Sequence, residues 1–280
     1  MSRPQAPVVD IRRWDGGVWA VADDSLAAEE PLQILLDGEP LTVVMRTPGN
    51  DVELALGLLH AERVISSPGD VASVAISAEA GESEGALPLE PSLLESNHVD
   101  VRLRRAAARV PRREFTRSSA CGVCGATTIE ELALDFPRPG AGPRVDAELL
   151  ASLPDRLRKG QELFERTGGL HAAGVFDAGG SLAVLREDAG RHNAVDKAAG
   201  RLLLDGALPA SDTLLAVSGR AGFEIVQKAV AAGVPVVAAV GAPSSLAVAT
   251  AREFGVTLAG FVRNGRFNVY AGPERVLGGA

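Results

Sequence analysis

The chain has almost no sulfur chemistry to distribute. Its 280 residues hold two cysteines, and both fall in one C-x-x-C, Cys121-Gly-Val-Cys124. No second cysteine pair exists, so a four-cysteine zinc site and a disulfide framework are both excluded. Completing a zinc site would need His98, His171 or His192, and none stands at finger-like spacing, so no metal site is expected. Long apolar runs are missing as well. No stretch approaches the roughly 20 apolar residues of a bilayer-spanning helix, and no signal-peptide-like run opens the sequence. The expectation is a cytoplasmic protein with no membrane contact. In a reducing compartment a lone C-x-x-C is catalytic or metal-binding more often than a structural staple. Positive charge is also in deficit. Lys and Arg number 28 against 36 Asp and Glu, a formal net charge of -8, which excludes a surface built to coat nucleic acid.

What positive charge there is gathers beside the cysteines. Arg102, Arg104, Arg105, Arg109, Arg112, Arg113 and Arg117 face the single acid Glu114 over that stretch. Such a run suits a solvated strand and loop, and equally a local positive field that favours a thiolate and an anionic ligand. The C-x-x-C itself allows three readings. Zinc lacks ligands, and a thioredoxin-like dithiol belongs between a strand and a long helix near the N-terminus. The third is a nucleophilic or sulfur-carrying cysteine on an exposed loop, where flanking glycines give the backbone freedom.

The pattern of elements changes halfway. Val8 to Trp14 alternates as a strand. Residues 31–36 and 41–45 form a hairpin around Asp37-Gly38, and Asn50 caps a helix running to about Arg63. Strands are expected over 71–76 and 98–104, and residues 78–96 read as a polar loop. Thr128 to Glu131 has the look of a capping box, and Pro137 to Pro143 is a linker. Beyond it, helices over 146–164, 193–204, 222–232 and 244–254 alternate with strands over 174–185, 213–218, 234–240, 256–262 and 267–270. Strands alternating with helices imply an α/β layer fold. The expected fold class is therefore α/β, α+β overall. It comprises a smaller β-rich domain over 1–126 that ends in the C-x-x-C loop and an α/β domain over 127–280.

Three further stretches can carry chemistry. Glu187-Asp-Ala-Gly-Arg-His-Asn-Ala-Val-Asp-Lys197 places a turn and basic side chains at a helix start, which suits a phosphate. The plainer reading has Asn193 as the cap and Asp196 and Lys197 on the wet face. Val217-Ser-Gly-Arg-Ala-Gly222 is a strand-turn-helix junction, where open α/β sheets bind ligands, although it is neither G-x-G-x-x-G nor a P-loop. Phe261-Val-Arg-Asn-Gly-Arg266 offers two arginines and an aromatic around a turn, fit for a phosphate and a stacked base or for an ordinary surface turn.

Together with Glu30-Pro-Leu and Thr47-Pro-Gly-Asn-Asp51, these stretches resemble the FdhD/NarQ family, the formate dehydrogenase accessory sulfurtransferases, along nearly the whole chain except residues 78–96. The resemblance implies a sulfur carrier. A cysteine desulfurase loads a persulfide onto the C-x-x-C loop, and the sulfur passes to the metal of a bis-molybdopterin guanine dinucleotide cofactor before that cofactor enters formate dehydrogenase. Carried over, Cys121 is the persulfide-bearing position and Cys124 the second thiol. Phe261, Val262, Arg263, Asn264, Gly265 and Arg266 would hold the guanine dinucleotide cofactor, with His192, Asn193, Ser218 and Arg220 on the same pocket; a GDP-like nucleotide would bind there as a fragment. A homodimer is implied too. The family's second half resembles the cytidine deaminase fold, three layers around a mixed sheet. This chain lacks that fold's zinc signature: His192-Asn-Ala has no H-x-E glutamate, and Ser218 to Gly222 contains no cysteine. Two other functions stay open, a non-catalytic cofactor-binding chaperone and a dithiol oxidoreductase.

Overall fold

The structure is a computed structural model that describes residues 5–77, 97–107 and 136–278. Both cysteines, the 78–96 stretch, the Thr128 capping box and the 126/127 boundary lie outside the described residues. Among the described residues no helix is long and apolar enough to cross a membrane.

Turn chemistry shapes the first part of the chain. β1 (Val8–Asp15) and β2 (Val18–Ser25) form a hairpin closed by Gly16 and Gly17, both with positive φ. β3 (Glu30–Leu36) and β4 (Glu39–Arg46) meet at Asp37-Gly38, with φ of 53° and 87°. That is the backbone sign which makes Asp-Gly a hairpin turn. β5 (Val71–Ser77) and β6 (His98–Leu103) complete a four-stranded sheet in the order β4-β3-β6-β5. Leu32, Ile34 and Leu36 alternate inward from β3 and meet α1 (Asp51–Ala61), whose Leu54, Leu58 and Leu59 are buried on them. Asn50 differs from expectation. It stands at the N-cap position, but its backbone is left-handed (φ 59°) and its side chain makes no capping bond. A capping side chain needs an extended backbone to reach the second or third amide; here only the Asn50 carbonyl accepts, from the Leu54 amide.

The second part is built on one six-stranded sheet. β7 (Val145–Asp146) leads into α2 (Ala147–Lys159) and α3 (Glu162–Thr167), so the expected single helix breaks at Gly160-Gln161. Then follow β8 (His171–Asp177), β9 (Leu182–Asp188), α4 (Arg191–Leu204), β10 (Thr213–Val217) and α5 (Phe223–Ala231). β11 (Val236–Ala239), α6 (Ser245–Phe254), β12 (Thr257–Arg263), β13 (Arg266–Ala271) and the short β14 (Val276–Leu277) end the chain. The sheet order is β13-β12-β11-β10-β8-β9. β10, β11 and β12 are parallel, while β8, β9 and β13 run antiparallel to their neighbours. Helices cover both faces. Leu214 and Ala216 of β10 pack with Leu150, Leu153 and Leu157 of α2, and Leu215 and Val217 pack with α4 and α5. Burial on both faces explains the unbroken apolar strands in the sequence, and the mixed α/β layering is as expected.

The two sheets are joined through α1 and α4, and glycine sets how closely these helices cross. A Cβ on Gly57 would collide with the Asp196 carbonyl, and one on Gly200 with the Glu53 carbonyl. Alanine in a helix interior ordinarily stabilises by up to about 1 kcal/mol relative to glycine. Here Gly57→Ala and Gly200→Ala are each expected to destabilise instead, by about 1–3 kcal/mol as overpacking, read from the urea midpoint.

Candidate functional site

The carboxyl ends of β10, β11 and β12 open side by side. Their backbones stay in hydrogen-bond register just past the strands: the Gly241 amide donates to the Gly219 carbonyl (2.9 Å) and the Phe261 amide to the Gly241 carbonyl (3.1 Å). Three turns therefore form one rim, Ser218-Gly219-Arg220, Gly241-Ala242-Pro243 and Phe261 to Arg266. Small residues are required along it. A Cβ on Gly241 would lie 2.9 Å from the Arg220 Cα, and one on Gly260 would lie 2.8 Å from the Pro243 Cδ.

β12 bulges as it reaches the rim, its register with β13 shifting between Gly260 and Arg263. The bulge holds Phe261 at φ 54°, and the turn that follows has Asn264 at 54° and Gly265 at 69°. A bulky residue with positive φ stores roughly 1–3 kcal/mol of strain, and such strain gathers at functional sites. Its result is that the Phe261 ring lies 5.7 Å from the Arg263 guanidinium carbon, a cation–π distance. Arg220, Arg263 and Arg266 are all exposed.

The other wall comes from the antiparallel strands. His171 opens β8 opposite Asp188, the last residue of β9, and α4 starts three residues later. His192 is held neutral. Burial, then the charges of Arg191 and Lys228, then His171 push its pKa down to about 3. Its Nδ1 lies 3.6 Å from the Glu224 Oε2, too far for a hydrogen bond. Burial and Arg191 also lower the pKa of His171. Lys228 behaves oppositely. Burial disfavours its charge, but Asp196 and Glu224 outweigh burial and raise its pKa.

A buried brace sets this wall in place. The Asp188 carboxylate is fully buried. It accepts from the Gly190 amide (2.8 Å) and the Asn193 side chain (2.9 Å) on one oxygen. The other oxygen takes the Thr47 amide (3.1 Å) and the Lys197 ammonium (2.7 Å). Lys197 also donates to the Thr47 carbonyl (2.8 Å), and Asn193 to that of Met45 (2.7 Å). Asp196 pairs with Lys228 at 2.6 Å. Asp196 and Lys197 are therefore 2% and 1% exposed, and the wet-face reading of these two residues is overturned. Asn193 is not the N-cap either; Gly190 is.

Of the residues singled out from sequence, Phe261, Arg263, Asn264, Gly265, Arg266, Ser218, Arg220 and His192 come to this one end of the sheet. Val262 is fully buried in the α2 layer, so it can present only backbone to a ligand. The Ser218 hydroxyl accepts from the Ala172 amide (2.9 Å), and the Asn193 amide is engaged in the brace; both position the rim. Arg191 and Gly219 lie in stretches the sequence marked for a phosphate or a ligand, whereas His171 and Glu224 were not read as pocket residues. No spacing rule connects positions 171, 191 and 219, and only the β8–β9 and β8–β10 registers bring them together.

A cavity of about 690 Å³ lies at the opposite end of the sheet, lined by His60, Arg63, Arg104, Arg105, Phe136 and Pro209 among others. Its rim holds Ala107 and Phe136, the residues between which the C-x-x-C segment is strung. The Arg63 guanidinium carbon sits 5.3 Å from the centre of the Phe136 ring.

Compared with known proteins, residues 27–277 match the FdhD/NarQ family. A sulfur carrier protein FdhD of Nocardia farcinica is 47% identical over 272 residues, spanning 96% of this chain and 91% of the relative. One of the same name from Streptomyces coelicolor is 48% identical, spanning 95% and 93%, and one from the archaeon Sulfurisphaera tokodaii is 44% identical, spanning 92% and 94%. Among solved structures, a candidate formate dehydrogenase accessory protein from Desulfotalea psychrophila superposes with a TM-score of 0.73. It is 24% identical and covers 98% of this chain and 100% of its own, a likeness of fold.

Two outcomes follow from the brace and the histidine. Lys197→Met leaves Asp188 buried without its cation and is expected to cost about 3–5 kcal/mol of stability, measured by urea unfolding. For His192, the unfolded chain takes up a proton below pH 6.5 that the folded chain refuses until about pH 3. Folded stability is thus whole above pH 6.5 and falls as pH drops through that window. His192→Gln should flatten this loss in unfolding titrations, and the His192 ring resonances should stay those of a neutral imidazole at pH 5.

Proposed function

Because the chain belongs to the FdhD/NarQ family, we propose that it is a sulfur carrier. Cys121 takes a persulfide from a cysteine desulfurase and serves the bis-molybdopterin guanine dinucleotide cofactor of formate dehydrogenase, which is bound here as cargo. The observation that carries the reading beyond the family is the rim itself. In a protein of net charge -8, Arg220, Arg263 and Arg266 stand exposed on the two outer of three adjacent turns. Among the described residues they have no acid partner, and free cations at a sheet's carboxyl end are what a phosphate-rich ligand requires. The strained Phe261 offers a stacking face beside Arg263.

Chemistry assigns the two thiols different tasks. The terminal sulfur of Cys121–S–SH is formally zero-valent, so releasing it as sulfide takes two electrons. Attack of the Cys124 thiolate on the inner sulfur forms the Cys121–Cys124 disulfide and expels HS⁻, which balances atoms and charge. A cellular dithiol must then reduce the disulfide before reloading. The 14 residues from Ala107 to Cys121 have a fully extended length of about 46–50 Å, at roughly 3.3–3.6 Å per residue, against about 17 Å for a five-residue strand such as β10.

The test compares Cys121→Ala and Cys124→Ala after exposure to a cysteine desulfurase and cysteine. Mass spectrometry is expected to show one added sulfur on Cys124→Ala and none on Cys121→Ala, with sulfide released only by the natural chain. If Cys121→Ala still matures formate dehydrogenase, the protein is a cofactor-binding chaperone instead.

A further inference from the structure

Arg191 is the first residue of α4, and among the described residues no acid pairs with its charge. Its Nε is buried without a hydrogen-bond partner. The nearest acid of the brace, Asp188, already accepts four donors, and Glu224 lies beside His192. The two lysines of this wall are both consumed, Lys228 by Asp196 and Lys197 by Asp188. A guanidinium that folding has partly desolvated and left unpaired is costly, and such groups are kept where a ligand completes them.

The surroundings define the shape of that ligand. Arg191 lies along the Ser218-Gly219-Arg220 turn, where a Cβ on Gly219 would come within 3.6 Å of the Arg191 Cδ and 3.3 Å of the His171 Nδ1. Gly219 thus keeps a side-chain-free floor between an imidazole and a guanidinium. Both neighbouring histidines are disposed to be neutral, so they can hydrogen-bond an anion while Arg191 supplies the charge. Gly219 is two hydrogen-bonded steps from Phe261 through Gly241, about 10 Å at the usual strand spacing. That separates Arg191 from the Arg263–Arg266 turn.

We infer that Arg191, His171 and Gly219 form a second anion subsite, separate from the Arg263–Arg266 turn, that takes a phosphate or diphosphate group of the bound ligand. Its assignment to a guanine dinucleotide cargo rests on the function proposed above; the anion chemistry does not.

Inorganic pyrophosphate and GDP, titrated calorimetrically into the full chain, test it. Arg191→Ala is expected to weaken pyrophosphate at least tenfold, the scale of a lost charge-assisted hydrogen bond. Arg191→Lys should recover part of the loss, and Arg138→Ala, in an exposed ion pair with Glu253, should change nothing. Circular dichroism melting confirms that each variant is folded. Unchanged pyrophosphate affinity in Arg191→Ala, or no binding by the natural chain, overturns the subsite. GDP bound equally by Arg191→Ala and the natural chain also overturns it, while leaving the nucleotide reading intact. Pyrophosphate lost in Arg191→Ala, with GDP binding the natural chain no better than pyrophosphate, supports the subsite and removes the nucleotide reading.

Discussion

One buried ion pair determines where the pocket wall stands. Asp188 and Lys197 are almost wholly removed from water, a position that costs several kcal/mol per charge unless every lone pair and proton is used. The carboxylate is satisfied fully, with two donors on each oxygen, and the ammonium places two of its three protons, on that carboxylate and on a backbone carbonyl. Two of those partners, the amide and carbonyl of Thr47, belong to the first half of the chain. The pair therefore fixes the start of α4 and fastens the N-terminal sheet to it. The same seam carries the Gly57–Gly200 crossing and the bidentate Arg186–Glu53 contact.

Seen through that constraint, the Glu187 to Lys197 segment separates into two tasks. Glu187 accepts from the Leu163 and Phe164 amides at the start of α3. Asp188, Asn193, Asp196 and Lys197 build the brace. Only Arg191 and His192 remain for the pocket, and they are held on a helix whose origin cannot drift. A site on rigid elements with its supporting hydrogen bonds saturated is the arrangement that keeps ligand geometry within narrow limits.

The two ends of the six-stranded sheet have different characters. One gathers arginines, neutral histidines and close-approaching glycines on adjacent turns. The other holds the cavity from whose rim the cysteine segment departs.

How much of this was legible in the sequence depends on range. Periodicity and turn chemistry located most strands and helices among the described residues, β2 being the long strand they missed, since alternation, the Asp37-Gly38 turn and a capping serine such as Ser244, which accepts from the Ala247 amide, act between near neighbours. The FdhD/NarQ resemblance was carried by short motifs for the same reason. What the sequence misjudged was Asp196 and Lys197, polar residues on a helix whose partners, Lys228 and Thr47 with Asp188, are distant in the chain. It also passed over His171 as a pocket residue, and although it marked the stretches that hold Gly219 and Arg191, it could not show that they meet. Whether a charge is paired depends on strand register and helix crossing, which bring together residues far apart in sequence. Local pattern determined the elements; only the packed sheet decided which charges the fold consumes and which it leaves for a ligand.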